Sequence, residues 1–266
     1  MPQFYPLPRT PHCPLDSAVV DDDRVLTQAE FSPLVRDHVV IVQEKLDGTC
    51  CSFHYEGRWV LVLQKRAGLI SSGEREVYNM FRLWAQQRIE WLYDIVGEEY
   101  VLFGEYVRVR HGVFYDLLPD EFVAFDLLHK ATGRFLGFEE FLERLTGRLA
   151  VVPVLWQGPG IQLPPLPSLL GRSRFGHETA EGCYLRFEKD GRLCGRAKWR
   201  RSQVASAELR AGPGGLRQTA ATEQAGTRGG SQPRAAIQEP LTTGTGERGL
   251  CELRAHSCST RTGRPG

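Results

Sequence analysis

Lysine is scarce in this chain of 266 residues, with five against twenty-eight arginines. The seven cysteines (13, 50, 51, 183, 194, 251 and 258) are odd in number and form no C-x-x-C pair. That excludes zinc-ligand spacing and a complete disulfide framework, and it leaves thiols acting as small buried hydrophobes in a reducing, cytoplasmic setting. No apolar run reaches membrane-spanning length, and the N-terminus MPQFYPLPRTPHCPLD lacks a basic region followed by an apolar stretch, so no membrane partner is expected. A net charge of +1 supplies no global field for a polyanion. Any nucleic-acid contact must come from local clusters, such as Arg172 with Arg174, or Arg196, Lys198, Arg200 and Arg201. Aromatics end at Trp199 and lysines at Lys198. From Ser202 onward the composition buries too little apolar surface to offset its ordering entropy. A folded domain over residues 1–202 and a low-complexity, disordered tail over 203–266 are therefore expected.

Residues 1–20 read as Pro-rich and irregular, and strands, hairpins and a few helices follow. Thr27 and Glu30 form a capping-box pattern that starts a short helix through about Arg36. Residues 38–43 read as a strand, and 51–55 with 59–63 as a hairpin around Gly57. Val77, Phe81, Trp84, Trp91 and Ile95 sit at helical spacing and predict one long amphipathic helix over 74–96. Strands follow over 100–109 and 121–128, then a helix over 138–148, an extended 151–156 and a Pro/Gly-rich loop to about 167. Asp190-Gly191 joins strands 183–187 and 193–199 as a hairpin turn. Strands outnumber helices and hairpins dominate, so the expected class is α+β with antiparallel sheets.

Six short segments carry chemistry: Glu44-Lys45-Leu46-Asp47-Gly48-Thr49, Gln64 to Gly68, Phe103-Gly104-Glu105, Phe125-Asp126, Glu181-Gly182 and Arg196-Ala197-Lys198. A lysine amine attacks phosphorus only when unprotonated, and a free lysine has a pKa of about 10.4. Lys45 is thus expected among cations or metal, or desolvated, just past the end of a buried strand. Gly48 would let the backbone turn closely around a ligand.

In this order the segments resemble the motifs of the covalent nucleotidyltransferase superfamily, and within it the RNA ligase 2-like group of ATP-dependent RNA ligases. The similarity covers about residues 21–201. It implies a nucleotidyltransferase domain of two packed, mainly antiparallel sheets with flanking helices. It also implies that Lys45 becomes linked to AMP taken from ATP, with Mg2+ or Mn2+ as cofactor. The RNA partner would carry a 5′-phosphate and a 3′-hydroxyl, in a repair role, and the protein would be a monomer. By the same resemblance Glu44 reads the adenine edge, Arg66 grips ribose and phosphate, Glu105 bonds the ribose hydroxyls and Phe125 stacks on the base. Asp126, on the opposite face of its strand, is a structural or electrostatic acid, and Glu181 holds the metal. Arg196 and Lys198 would reach the α-phosphate together and help keep Lys45 unprotonated.

Two departures stand out. The last motif carries Arg196 where the group commonly has lysine, so only Lys198 could act as a general acid. Beyond residue 202 nothing resembles a helical or OB-fold C-terminal domain, and the tail reads either as an arginine-bearing extension or as the product of a frame slip. A DNA ligase, a GTP-using capping enzyme and a truncated nucleotide-binding or RNA-binding module remain alternatives.

Overall fold

The computed structural model describes residues 2–14, 16, 23–201 and 217–218. The chain divides into residues 1–225 and 226–266, and everything described belongs to the first unit. The expected tail lies outside the described residues apart from Arg217–Gln218.

Two antiparallel sheets form the frame. The first contains β1 (Val39–Lys45), β9 (Val154–Pro159), β10 (Gly182–Lys189) and β11 (Arg192–Arg200), in the order β11-β10-β1-β9. The second contains β2 (Thr49–Tyr55), β3 (Leu61–Lys65), β4 (Gly68–Leu69), β5 (Tyr100–Tyr106), β7 (Phe122–His129) and β8 (Arg134–Phe135). Its order is β4-β3-β2-β5-β7-β8. A two-residue strand, β6 (Val109–Arg110), pairs with β12 (Arg217–Gln218). The α+β class with two antiparallel sheets is as the sequence predicts.

Each sheet buries its outer face under helices. α1 (Gln28–Asp37) begins at the predicted capping box, where the Thr27 side chain accepts from the Glu30 amide and the Glu30 carboxylate accepts from the Thr27 amide. α1 and the short α5 (Leu166–Leu169) cover the first sheet, where Phe31 and Leu34 pack against Val40, Leu185 and Phe187. The second sheet is covered by α2 (Glu76–Gln86), α3 (Ile89–Val96) and α4 (Phe138–Leu145), with Phe81, Trp84 and Phe141 against Phe53 and Phe122. The single helix expected over 74–96 is broken between α2 and α3. The Arg88 amide bonds back to Ala85 rather than Trp84, and the Arg88 side chain donates to the Trp84 carbonyl instead. No Gly or Pro marks this break, because the partner that satisfies the freed carbonyl is a side chain.

The N-terminal residues, irregular in sequence, have a fixed course. The Tyr5 amide donates to Gln64 and its ring meets His54 edge-on, while Tyr5 and Leu7 pack beside Val101 and Phe103 of the second sheet. Pro11 and Cys13 then pair with Lys198 on the free edge of β11. The segment thus bridges the two sheets.

β5 approaches its neighbours closely at Gly104. A Cβ there would lie 2.3 Å from the Phe122 ring. Gly104→Ala is expected to lower stability by about 1–3 kcal/mol through overpacking, read as a lower urea midpoint with an unchanged slope.

Candidate active site

The strand registers bring the six segments together. β1 ends at Lys45, which is paired with Gly182, so Glu181 lies immediately beside the lysine. The Lys45 ammonium donates to the Glu181 carboxylate, with the lysine side chain 24% exposed and the glutamate fully buried. β2 leaves the lysine loop and pairs with β5, placing Cys50 opposite Glu105. Gly48 is where this turn presses on β5, since a Cβ there would lie 2.8 Å from the Tyr106 carbonyl and 3.0 Å from Glu105 Cγ. The room that Gly48 provides is therefore used by the chain itself. A cleft of about 470 Å3 results, lined by Lys45, Arg66, Glu105, Phe125 and Lys198 among others.

Phe125 reaches this cleft through a β-bulge. Phe103 pairs with Asp126 and Gly104 with Ala124, so Phe125 is the extra residue on β7. Bulges re-aim side chains next to sites. Here Phe125 faces Tyr184 at a ring distance of 6.3 Å, while Asp126 reaches Arg186 and Arg196 on the same side of the sheet. Simple alternation places Phe125 and Asp126 on opposite faces; the bulge puts both toward the first sheet, and Leu127 returns to the helix-covered core.

Asp126 is fully buried and shared by two arginines. Arg186 donates to one oxygen, and Arg196 grips the other through Nε at 3.0 Å and Nη2 at 2.7 Å. Arg196 also lies over the Phe135 ring at 3.9 Å. It is absent from the cleft lining, so the expected Arg196–Lys198 pair is split: Lys198 lines the cleft and Arg196 braces Asp126. Glu44 is likewise engaged, taking hydrogen bonds from the Ser173 hydroxyl and the Arg174 amide at 2.9 Å. Burial raises its pKa, and those two bonds partly offset the rise. Arg66 sits exposed in the turn between β3 and β4.

The electrostatics around Lys45 differ from the cation-rich surroundings that the sequence suggests. Burial pushes its pKa down, but Glu181, Glu105 and Asp47 reverse this and hold it above the usual lysine value. Burial also raises Glu105 to about 8, against the pull of Lys45. The cations face the cleft from elsewhere, at Arg66, Arg75, Lys198 and Arg200.

Sequence reasoning missed several contributors. Asp47 lies within the lysine motif, yet its work is structural: its amide donates to the Tyr115 hydroxyl at 2.7 Å, and its carboxylate accepts from the Gly112 and Val113 amides. Gln43, two residues before Lys45 on the same strand, is fully buried at the cleft with neither amide atom hydrogen-bonded. Its period-two relation to Lys45 was the available signal. Leu7, Thr10 and Asp23 of the N-terminal segment also line the cleft, with no motif to announce them.

A family model described as RNA ligase matches residues 38–200. A Naegleria gruberi RNA ligase variant solved with ATP and Mn is similar in fold, with TM-score 0.54, 15% identity and coverage of 74% of this chain and 62% of that one. An archaeal ATP-dependent RNA ligase gives TM-score 0.53 at 19% identity, covering 75% of this chain and 49% of that one. The chain therefore spans less than two thirds of either solved chain. A search of curated proteins gave no match.

Two expectations follow. Asp126→Ala leaves the buried Arg186 short of an anion and should cost about 3–5 kcal/mol, with part of the loss recovered when Arg186 is also replaced by Met; urea unfolding of the single and double variants measures this. Glu105 remains protonated in the folded state up to about pH 8 but ionises near 4.5 when unfolded. Between those values the unfolded chain binds fewer protons, so stability falls as pH rises across the window. Glu105→Gln should flatten that slope in unfolding midpoints followed against pH.

Proposed function

The chain belongs to the RNA ligase family, and from that premise we propose that it is an ATP-dependent RNA ligase that stores AMP on Lys45. One arrangement carries the reading: a lysine amine at the end of β1, partly exposed, shares a cleft with Arg66, the Phe125 ring, Lys198 and the Glu105 carboxyl, and is paired with the buried Glu181 beside it. The solved Naegleria protein of similar fold holds ATP and Mn, which supports the same ligands here.

Lys45 attacks the α-phosphorus of ATP, pyrophosphate leaves, and the adenylyl group remains on Nζ through a P–N bond. Phe125 supplies the flat apolar face for the adenine, and Arg66 a guanidinium that grips phosphate with paired hydrogen bonds. Lys198 offsets the charge that builds on the phosphates. The AMP then passes to an RNA 5′-phosphate, and a 3′-hydroxyl displaces it to seal the strand in a repair reaction.

Glu181 and Glu105 offer oxygen donors only, the set that Mg2+ or Mn2+ accepts together with substrate phosphates. Among the described residues no group of three or more His, Cys, Asp or Glu is placed to hold a metal ion by itself. A divalent cation held by these carboxylates would supply the positive charge that weakens their hold on the Lys45 proton. Before that, the ammonium paired with Glu181 is a poor nucleophile.

Incubation with α-phosphate-labelled ATP and magnesium should label the protein, with GTP and NAD giving far less, and Lys45→Ala should reduce the label to background. Equal labelling of the variant would remove Lys45 from the mechanism. Nicked RNA against nicked DNA separates an RNA ligase from a DNA ligase.

A further inference from the structure

The N-terminal segment carries a chain of charged groups that ends on the second lysine of the cleft. His12 is fully buried, with Nδ1 on Asp16 and Nε2 2.7 Å from Asp23. The other oxygen of Asp23 lies 3.4 Å from the Lys198 ammonium, and the carboxylate also lies 3.5 Å from Arg200. Asp16 accepts from the Arg200 amide at 3.1 Å. The backbone holds the same parts together: Pro11 and Cys13 pair with Lys198, and His12 is bridged on its other side to the segment that begins at Asp23, its amide donating to the Arg24 carbonyl at 2.8 Å. Asp23 itself lines the cleft with Lys45 and Lys198.

We infer that Asp23 is a positioning residue that holds the Lys198 ammonium in place and charged, so that it can meet the phosphates of the nucleotide. The inference rests on the reading of Lys198 as the cation that faces those phosphates.

Lys198 needs such a partner. Facing it are Arg200 on its own strand, Lys45 on β1, Tyr184 on β10 and Asp23, with His12 and Asp16 behind Asp23. Burial, Arg200 and Lys45 push the lysine's pKa below its ordinary value, and Asp23 is the charge that opposes them in part. Without that carboxylate, the amine would lose its proton at a lower pH and its direction would no longer be set. An anchored carboxylate serves better than a free one. Fixed by His12, Asp23 stays beside the ammonium without crossing the cleft to Lys45.

The test is the rate of Lys45 labelling by ATP against pH, in the native full chain, Asp23→Asn and Asp23→Glu. A group that must stay protonated sets the alkaline limb. In Asp23→Asn that limb is expected to move down by about one pH unit, in line with the loss of one opposite charge at short range. At alkaline pH the rate should fall about tenfold, a decade less than the hundredfold expected from removing a phosphate-facing donor itself. The KM for ATP should change less than twofold, and Asp23→Glu should restore most of both the rate and the limb. An unmoved alkaline limb in Asp23→Asn with normal labelling of the native chain overturns the inference alone. Absence of labelling in the native chain overturns the functional reading and this inference with it.

Discussion

A buried guanidinium holds the two sheets to each other. Arg186 on β10 is fully enclosed, donating to Asp126 on β7, to Glu188 on its own strand and to the Leu136 carbonyl at 2.8 Å, with the Phe138 ring 5.8 Å from its centre. Enclosing a charge is costly unless its donors are satisfied, and here two carboxylates and a carbonyl surround it. The cleft depends on this junction. β7 presents Phe125 and β10 leads back to Glu181, so tying the two strands through Arg186 and Asp126 sets the wall that carries the ring against the wall that carries Lys45. The bulge at Phe125 belongs to the same device, because it lets adjacent residues serve the cleft and the junction from one side of the strand.

That junction also explains how the cations are distributed. Asp126 has an oxygen left after Arg186, and Arg196 takes it. β11 therefore gives one basic side chain to the junction and the next on that face to the cleft. Around Lys45 the groups are acidic, contributed by β5, the lysine loop and the residue before β10. Around Lys198 they are basic, with Arg200 beside it and Asp23 as counter-charge. The cleft is polarised, with carboxyls at the end of β1 and cations along the end of β11. Under the proposed function, a nucleoside triphosphate with a divalent cation would bring the opposite sign to each end of this division.

The strands and caps were legible where local chemistry determines them. Asp190 and Gly191 both have positive φ, as the two-residue hairpin requires, and Thr27 with Glu30 starts α1 as the capping box predicts. The ordered segments brought Lys45, Arg66, Glu105 and Lys198 to one cleft because each sits in a turn or near the end of a strand whose pairing follows from hydrophobic pattern, and Phe125 joins them from within β7. Features set by a distant partner were not legible. The break before α3 depends on the Arg88 side chain, the bulge at Phe125 on packing between sheets, and the diversion of Arg196 on an acid 70 residues away. The charge state of Lys45 belongs to the same group. A strand pattern can place the amine, but only the tertiary approach of Glu181 and Glu105 decides what holds its proton.

The N-terminal residues show what composition leaves open in a segment that it reads as irregular. Prolines at 2, 6, 8, 11 and 14 remove backbone donors and disfavour helix, so the stretch reads as loop. In the fold those properties suit an extended strap. A proline-rich segment loses little further freedom when it is laid straight, and it needs few hydrogen-bond partners of its own. The partners it does need fall at Gln3 and Tyr5, which meet His54 and Gln64 on one sheet, and at Pro11 to Cys13, which meet Lys198 on the other. Because both anchors lie on residues at or beside the cleft, ordering the strap and setting the charge of the cleft become one event. A substitution in this apparently irregular stretch should therefore act on the chemistry of β11 before it acts on the core, whose helix-covered faces lie on the far side of each sheet.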